Sequence, residues 1–251
     1  MRSSLALFLL LMAACSKAPG PGGRSVVLLP FDDLRGTPGE PVAEALRIGL
    51  AQSLEAQPSV LPMTPSHPRE LSGIPATLLV DGYVAPDGFH LFVNAEPLVC
   101  KDTLDHCATT LAAQIATRAG ASAATPPPAG AALALAKARQ AATEEDWRPA
   151  AEAFRSYGPV WISRIEHAAS ANPERGLTLI SEANTSGWRP VDVARLDVLR
   201  AVLQRDKAKT AEAFERLALL TPADFQTQQR AAAAAGEARR FKAAIWSCPQ
   251  I

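Results

Sequence analysis

Val26, Val27, Leu28 and Leu29 form a continuous apolar run that Pro30 stops. So short a run, with no polar alternation, predicts a strand covered on both faces. The loop Phe31–Glu40 follows and carries the turn formers Asp32, Asp33, Gly36, Pro38 and Gly39. Then Val42, Ala45, Leu46, Gly49, Leu50 and Leu54 recur at helical spacing, with Glu44, Arg47, Gln52 and Glu55 on the other side. That spacing predicts an amphipathic helix packed on one sheet face. Thr37 and Glu40 fit a capping box with Pro38 at the first helical position, but Pro41 would then clash inside the first turns. Pro41 as the first helical residue avoids the clash. Val60, Leu61 and Met63 make a short second strand, which Pro62 confines to a sheet edge. Ser25–Met63 thus reads as strand, loop, helix, strand, and the rest of the chain is placed around it.

Thr64–Ile74 is a Pro-rich connection with room for one helical turn at Arg69–Ser72. Ala76–Val84 and Phe89–Glu96 are two strands, and the Pro86-Asp87-Gly88 between them signals a hairpin. Phe89, Leu91, Val93 and Ala95 face one way and His90, Phe92, Asn94 and Glu96 the other, so the second, mixed face meets solvent. Leu104, Cys107, Ala108, Leu111, Ala112 and Ile115 mark a second packed helix. Residues 25–119 are therefore expected to form an α/β sandwich with at least four strands and two helices.

The strand ending in Leu29-Pro30-Phe31, the polar Gly-containing loop, the helix and the later Val80-Asp81-Gly82-Tyr83-Val84 resemble the N-terminal domain of the periplasmic protein TolB. They also resemble related domains in the flagellar outer-membrane FlgO family and ahead of tetratricopeptide repeats. The resemblance covers residues 25–119 and implies a role in the cell envelope.

Ahead of this unit, Arg2 precedes the apolar run Leu5–Met12 and then Ala13-Ala14-Cys15. A basic start, a short apolar core and small residues make a secretory signal over residues 1–14. Leu11-Met12-Ala13-Ala14-Cys15 resembles a bacterial lipobox, with Met12 where leucine is usual. The resemblance implies cleavage before Cys15, acylation of its thiol and anchorage in a membrane by several acyl chains. Ser16, rather than aspartate, implies sorting to the outer membrane, with the chain facing the periplasm. Residues 15–24 are then a tether that reaches about 30 Å.

Gly120–Gly130 contains three consecutive prolines and no periodicity, and reads as a semi-rigid spacer. Residues 131–251 hold all four tryptophans and no strand-like alternation. They read as short helices broken at Asp146, Gly158, Asn172, Gly187-Trp188 and Pro222. The stretch at 150–157, with Phe154 four after Ala150, and the one at 210–222, with Pro222 eight after Phe214, resemble tetratricopeptide repeats. The two Phe markers lie 60 residues apart, which is not a multiple of 34, so the implied array is degenerate. Residues 230–248 resemble a third, terminal pair. The expected fold class is an α/β sandwich followed by an all-α helical-repeat domain.

No Gly-rich phosphate loop, HExxH, GxSxG or CxxC occurs in the chain. Asp32 and Asp33 follow the first strand, where α/β folds often place catalytic groups, but adjacent turn carboxylates rarely converge on one point. His67, His90, His106 and His167 are far apart in sequence. Lys and Arg total 25, as do Asp and Glu, so charge gives no case for nucleic acid. No metal or cofactor is expected.

With Cys15 acylated, three cysteines remain in an exported chain, where disulfides are allowed. Cys100 ends the strand region and Cys107 lies in the first turns of the helix, which predicts a Cys100–Cys107 disulfide. Alternatives are two reduced thiols, a bond from either to Cys248, or a metal held by Cys100, His106 and Cys107, with or without Cys248. These readings converge on a non-catalytic outer-membrane lipoprotein that holds other envelope proteins in assembly, secretion or motility. A regulator of peptidoglycan synthesis and an envelope hydrolase with an unrecognised site are the rival expectations.

Overall fold

The computed structural model describes residues 24–35, 40–55, 57, 59–65, 77–122, 125–140 and 143–238. The expected signal, Cys15 and most of its tether, the turn at 37–39, the Pro-rich connection at 66–76 with its helical turn and His67, and the segment from 239 with Trp246 and Cys248 lie outside them.

Strands β1 (Arg24–Leu28), β2 (Asp32–Asp33), β3 (Val60–Met63), β4 (Leu78–Ala85), β5 (Gly88–Val93) and β6 (Glu96–Cys100) form one mixed sheet, ordered β3-β1-β4-β5-β6 with β2 paired to β4. Pairings of β1 with β3 and β4 are parallel, and those of β5 with β4 and β6 are antiparallel. The edge position of β3 suits Pro62, whose missing N–H costs a central strand one ladder bond. Along β4 the side chains alternate strictly between buried Leu78, Val80 and Val84 and more exposed neighbours. Gly82 is required there: a Cβ would lie 2.4 Å from the His90 carbonyl oxygen across the hairpin.

Helix α1 (Val42–Glu55) crosses between β1 and β3. The Ala45 N–H donates to the Pro41 carbonyl (2.8 Å), so the helix starts at Pro41-Val42, and the proline loses nothing there. Helix α2 (Leu104–Arg118) is capped by Thr103, whose Oγ1 accepts from the His106 N–H at 3.4 Å. Val42, Leu46, Leu50 and Leu54 of α1 join Leu111 and Ile115 of α2 and Val26, Leu28, Val80, Leu91 and Val93 of the sheet in one buried core. Each such side chain contributes about 1.5–3 kcal/mol when fully buried. On the other sheet face Leu79, Phe92 and Val99 are 39%, 37% and 50% exposed, as the mixed pattern of β5 requires.

One correction concerns β5. The expected strand through Glu96 stops at Val93, and Asn94 and Ala95, both at positive φ (49° and 69°), turn the chain into β6. Positive φ at both central residues is the geometry that matches strand twist in a two-residue hairpin. Asn tolerates it; Ala95 is held there by the pairing of Val93 with Glu96. A second correction concerns Asp32 and Asp33, which extend the sheet as β2 against Tyr83 and Val84.

The second half is helical: α3 (Ala131–Arg139), a 3-10 turn (Glu144–Trp147), α4 (Arg148–Ala153), α5 (Gly158–Ala171), α6 (Pro173–Glu182), α7 (Pro190–Leu203), α8 (Lys207–Leu220) and α9 (Phe225–Glu237). Breaks fall at Gly158, Asn172, Gly187-Trp188 and Pro222 as the sequence indicates. Asn172 caps α6 by accepting from the Glu174 and Arg175 N–H groups (3.0 and 3.3 Å). The break between α7 and α8 was not expected. It is made by Arg205 at φ 55° and by Asp206, whose carboxylate accepts the Lys209 N–H at 3.0 Å.

The two halves pack directly on one another. Ten of the fourteen residues of α1 are buried, more than one covering surface can achieve for a helix. The second surface is helical: Ala45 and Ile48 sit in a core with Ala131, Ala132 and Leu135 of α3 and Ile162 and Ile165 of α5. The stretch expected to be a spacer is fastened at both ends. Ser122 Oγ donates to Gln57 Oε1 (2.8 Å), and the Gly130 N–H donates to both Asp105 carboxylate oxygens (3.0 Å each).

Candidate functional site

Cys100 ends β6 and Cys107 opens α2, and their sulfurs are bonded at 2.03 Å with Cα atoms 5.5 Å apart. The bond fastens the sheet to the helix that covers it. His106 points elsewhere, toward Asp102 at 3.8 Å. Among the described residues no three His, Cys, Asp or Glu side chains gather as a metal site. His90 donates through Nε2 to the Asp87 carboxylate (2.9 Å) and stacks on Tyr83, with ring centroids 4.8 Å apart. His167 lies beside Trp147 on the helical half. The three described histidines therefore each meet a different neighbour and do not share a site.

Asp33 is taken up by Arg35, which donates to it through Nε at 2.9 Å and Nη2 at 2.7 Å. Those bonds hold the Asp33 carboxyl below the usual carboxylate range. Asp32 is exposed, and neither residue lines a cleft among those described here.

Two polar clusters that the sequence did not reveal dominate the helical half. The first joins it to the α/β unit. Arg189, just ahead of α7, donates to Asp192 through Nε (2.7 Å) and Nη2 (2.9 Å), and its Nη2 reaches Glu55 of α1 at 3.2 Å. Its Nη1 meets the Gln52 carbonyl at 3.4 Å. Arg195 donates to the other Glu55 oxygen, and the Tyr157 hydroxyl donates to the Gln52 side chain. Asp192 is fully buried beneath Gly158, where a Cβ would come within 2.5 Å of the Asp192 Cβ. Burial pushes Glu55 toward neutrality, but Arg195 and Arg189 outweigh it and hold its carboxyl below the usual range. The same burial raises the Tyr157 hydroxyl. Beside this cluster a cleft of about 260 Å³ runs between α1, α3 and α5.

The second cluster walls a larger open cleft of about 450 Å³ between α4, α5 and α6. Arg148, Arg155, Arg164 and Arg175 face it, against Glu152 and Glu182. Trp161 forms part of the floor, its indole N–H fixed on the Ala151 carbonyl at 3.1 Å. Arg164, only 4% exposed, lies 5.4 Å from the centre of that ring and bonds Glu144 of the 3-10 turn. Arg175 shares the same carboxylate through Nε (3.2 Å) and Nη2 (3.1 Å) and also reaches Glu182 at 3.5 Å. Burial raises Glu144, and the two guanidiniums more than reverse it, leaving the carboxyl below its usual range. Arg148 pairs with Glu145. Arg155 is exposed and makes no ion pair among the described residues, while its carbonyl is pinned by the Trp188 indole N–H at 3.0 Å.

An open cleft with Trp161 in its floor and four arginines balanced by four glutamates can hold a polar ligand; it carries no nucleophile paired to a base. No helix among the described residues is long and apolar enough to cross a membrane. The chain matches no protein-family model, and no curated protein is similar enough to it in sequence to count as a relative. The fold is thus a mixed α/β sheet unit with a helical unit packed on it.

Proposed function

We propose that this protein is a non-catalytic adaptor of the bacterial envelope, anchored in the outer membrane by acyl chains on Cys15 and facing the periplasm. In this reading residues 25–119 are a TolB-N-like platform, and the helices from residue 131 are a degenerate tetratricopeptide-like arm that binds other envelope proteins. The observation that supports it best is the coupling of the arm to the platform. Arg189 and Arg195 grip Glu55 on a helix that is itself part of the sheet core. The cleft between α4 and α6 is therefore presented at a fixed orientation to the anchored unit, and a preorganised surface loses less entropy on binding.

The test is site-specific photo-crosslinking in the native envelope. A benzophenone side chain replaces Glu152 at the cleft rim or, as control, exposed Asp87 on the β4–β5 hairpin. Discrete protein adducts from position 152 and not from position 87 are expected. Cys15→Ser should move the adducts to the soluble periplasmic fraction or leave the precursor uncut. Adducts absent from position 152, or a Cys15→Ser protein that stays in the membrane and is processed as before, would overturn the reading.

A further inference from the structure

We propose that the outer face of β1, centred on Val27, is an intramolecular docking surface whose occupant is the chain's own connection at 66–76. The proposal stands apart from the adaptor reading.

Side chains alternate along a strand. Val26 and Leu28 point into the core with α1, so Val27 between them points to the opposite face. Its register partner on β4, Leu79, lies on that face and is 39% exposed. Val27 is 0% exposed. Flanking strands alone leave a side chain on a bare face partly exposed, as Leu79 shows. Helices α1 and α2 cover the core face, and the helical half packs on α1 beyond it, so no described helix lies over Val27. Another part of the chain excludes water from it.

Topology names the cover. Strands β3 and β4 both run parallel to β1 and lie on either side of it. The connection between them starts after Pro65, whose carbonyl accepts from Arg47 Nη1 at 3.3 Å, and ends at Thr77, whose N–H donates to the Ser25 carbonyl at 2.9 Å. It must therefore cross β1. On the core face the way is shut, since Val26 and Leu28 are 0% exposed there. Handedness gives the same answer, because parallel crossovers are right-handed in about 98% of cases. Helix α1 takes the chain from β1 outward to β3 over the core face. The return to β4 runs the other way across the sheet, so the same hand puts it on the opposite face. Length permits this. By the register the path spans two strand spacings, about 10 Å, and about 13 Å along the strands, against a reach of about 36 Å for eleven residues. Leu71 and Ile74 are the large apolar side chains the connection brings. The crossing leaves the face of β5 and β6 open, where Phe92 and Val99 are exposed.

Thiol labelling tests this. In the full mature protein Val27→Cys should react slowly with N-ethylmaleimide, read at position 27 by peptide mass mapping. Replacing 66–76 by a Gly/Ser linker of equal length should speed that reaction about tenfold or more. Fast labelling in both proteins would show an open face, and slow labelling in both would show a different cover; either overturns the proposal. A photo-crosslinker in the unshortened chain decides the matter should the linker variant fail to fold. A benzophenone side chain in place of half-buried Leu29, the next outward position after Val27, should join to peptides within 66–76. One in place of Val99, on β6 at the far side of the same face, should not. No adduct between position 29 and that segment, or equal adducts from positions 29 and 99, overturns the proposal.

Discussion

Glu55 is the residue on which the contact between the two halves turns, and replacing it by glutamine isolates its charge. The shape and one oxygen acceptor are kept, but the carboxylate that two guanidiniums share becomes neutral. Hydrogen bonds to charged groups contribute about 1.5–3 kcal/mol each when buried. Glu55 makes one with Arg189 and one with Arg195, and the three side chains are 21%, 27% and 32% exposed. Solvent screens such a group in part, and the glutamine retains weaker bonds, so the net loss should be about 2–3 kcal/mol. Arg189 still keeps Asp192, which limits the damage to the contact across the halves.

For a chain of this size 1 kcal/mol moves the melting temperature by about 2–4 °C, so the expected drop is roughly 4–12 °C. Differential scanning calorimetry reads it, and the shape of the trace carries a second result. Because α1 belongs to both cores, parent and variant should each show one transition, not separate sheet and helix transitions. A double-mutant cycle with Arg195→Ala should give a coupling of about 1 kcal/mol or more, since the two groups are in contact. A drop under 2 °C with zero coupling would refute the reasoning, because the cluster would then be a screened surface array with no hold on the interface. Two well-separated transitions in the parent protein would refute the shared core itself.

The remaining predictions concern acid and thiols. Glu55 and Glu144 both have carboxyls held below their usual range, so their stabilisation is complete above the unfolded glutamate pKa of about 4.3 and is lost as pH falls through the lower folded values. The melting temperature should therefore stay level near neutrality and fall steeply below about pH 4, with a shallower acid slope in Glu55→Gln; an unchanged slope would assign the acid sensitivity elsewhere. Non-reducing peptide mapping should recover a linked pair containing Cys100 and Cys107, and reduction should lower stability by about 2.5 kcal/mol in the chain-entropy view. A 100–248 or 107–248 link would reject that pairing.

The sheet unit was legible because its signals are local. The apolar run Val26–Leu29 marks β1, Pro41 marks a helix start, and Pro-Asp-Gly marks the first hairpin. The second hairpin was not, because Asn94-Ala95 lacks the glycine that normally announces positive φ at the second turn position. Arg205 hid the break between α7 and α8 in the same way: the left-handed residue is an arginine, and only the Asp206 cap after it gives local notice. The polar clusters were illegible for a different reason. Glu55 and Arg189 are separated by 134 positions, and Arg164 and Glu144 by 20. Nothing in the local pattern distinguishes a glutamate at the end of an amphipathic helix from any other solvated one, and Glu55 reads as part of the wet face of α1.

That misreading of one helix face has a functional consequence. A helix with one wet face makes the α/β unit self-contained and leaves the helical half joined to it only through the semi-rigid spacer. In the structure the supposed wet face carries Gln52 and Glu55 into the second half, and the apolar Ala45 and Ile48 lie in its core. Lys137–Glu40 and Arg139–Glu44, at 3.0 and 3.3 Å, continue the contact along the helix toward its start. A mobile arm would bind any ligand with the entropy cost of stopping; a fixed arm meets a ligand in one orientation relative to the sheet unit. Under the anchorage proposed above, a tether of about nine residues would hold the protein within about 30 Å of its membrane, and the fixed arm would make the anchor a directional constraint. The proline run at 126–128 then sets the short path by which the chain passes from α2, where Asp105 holds Gly130, into α3 on the far side of α1.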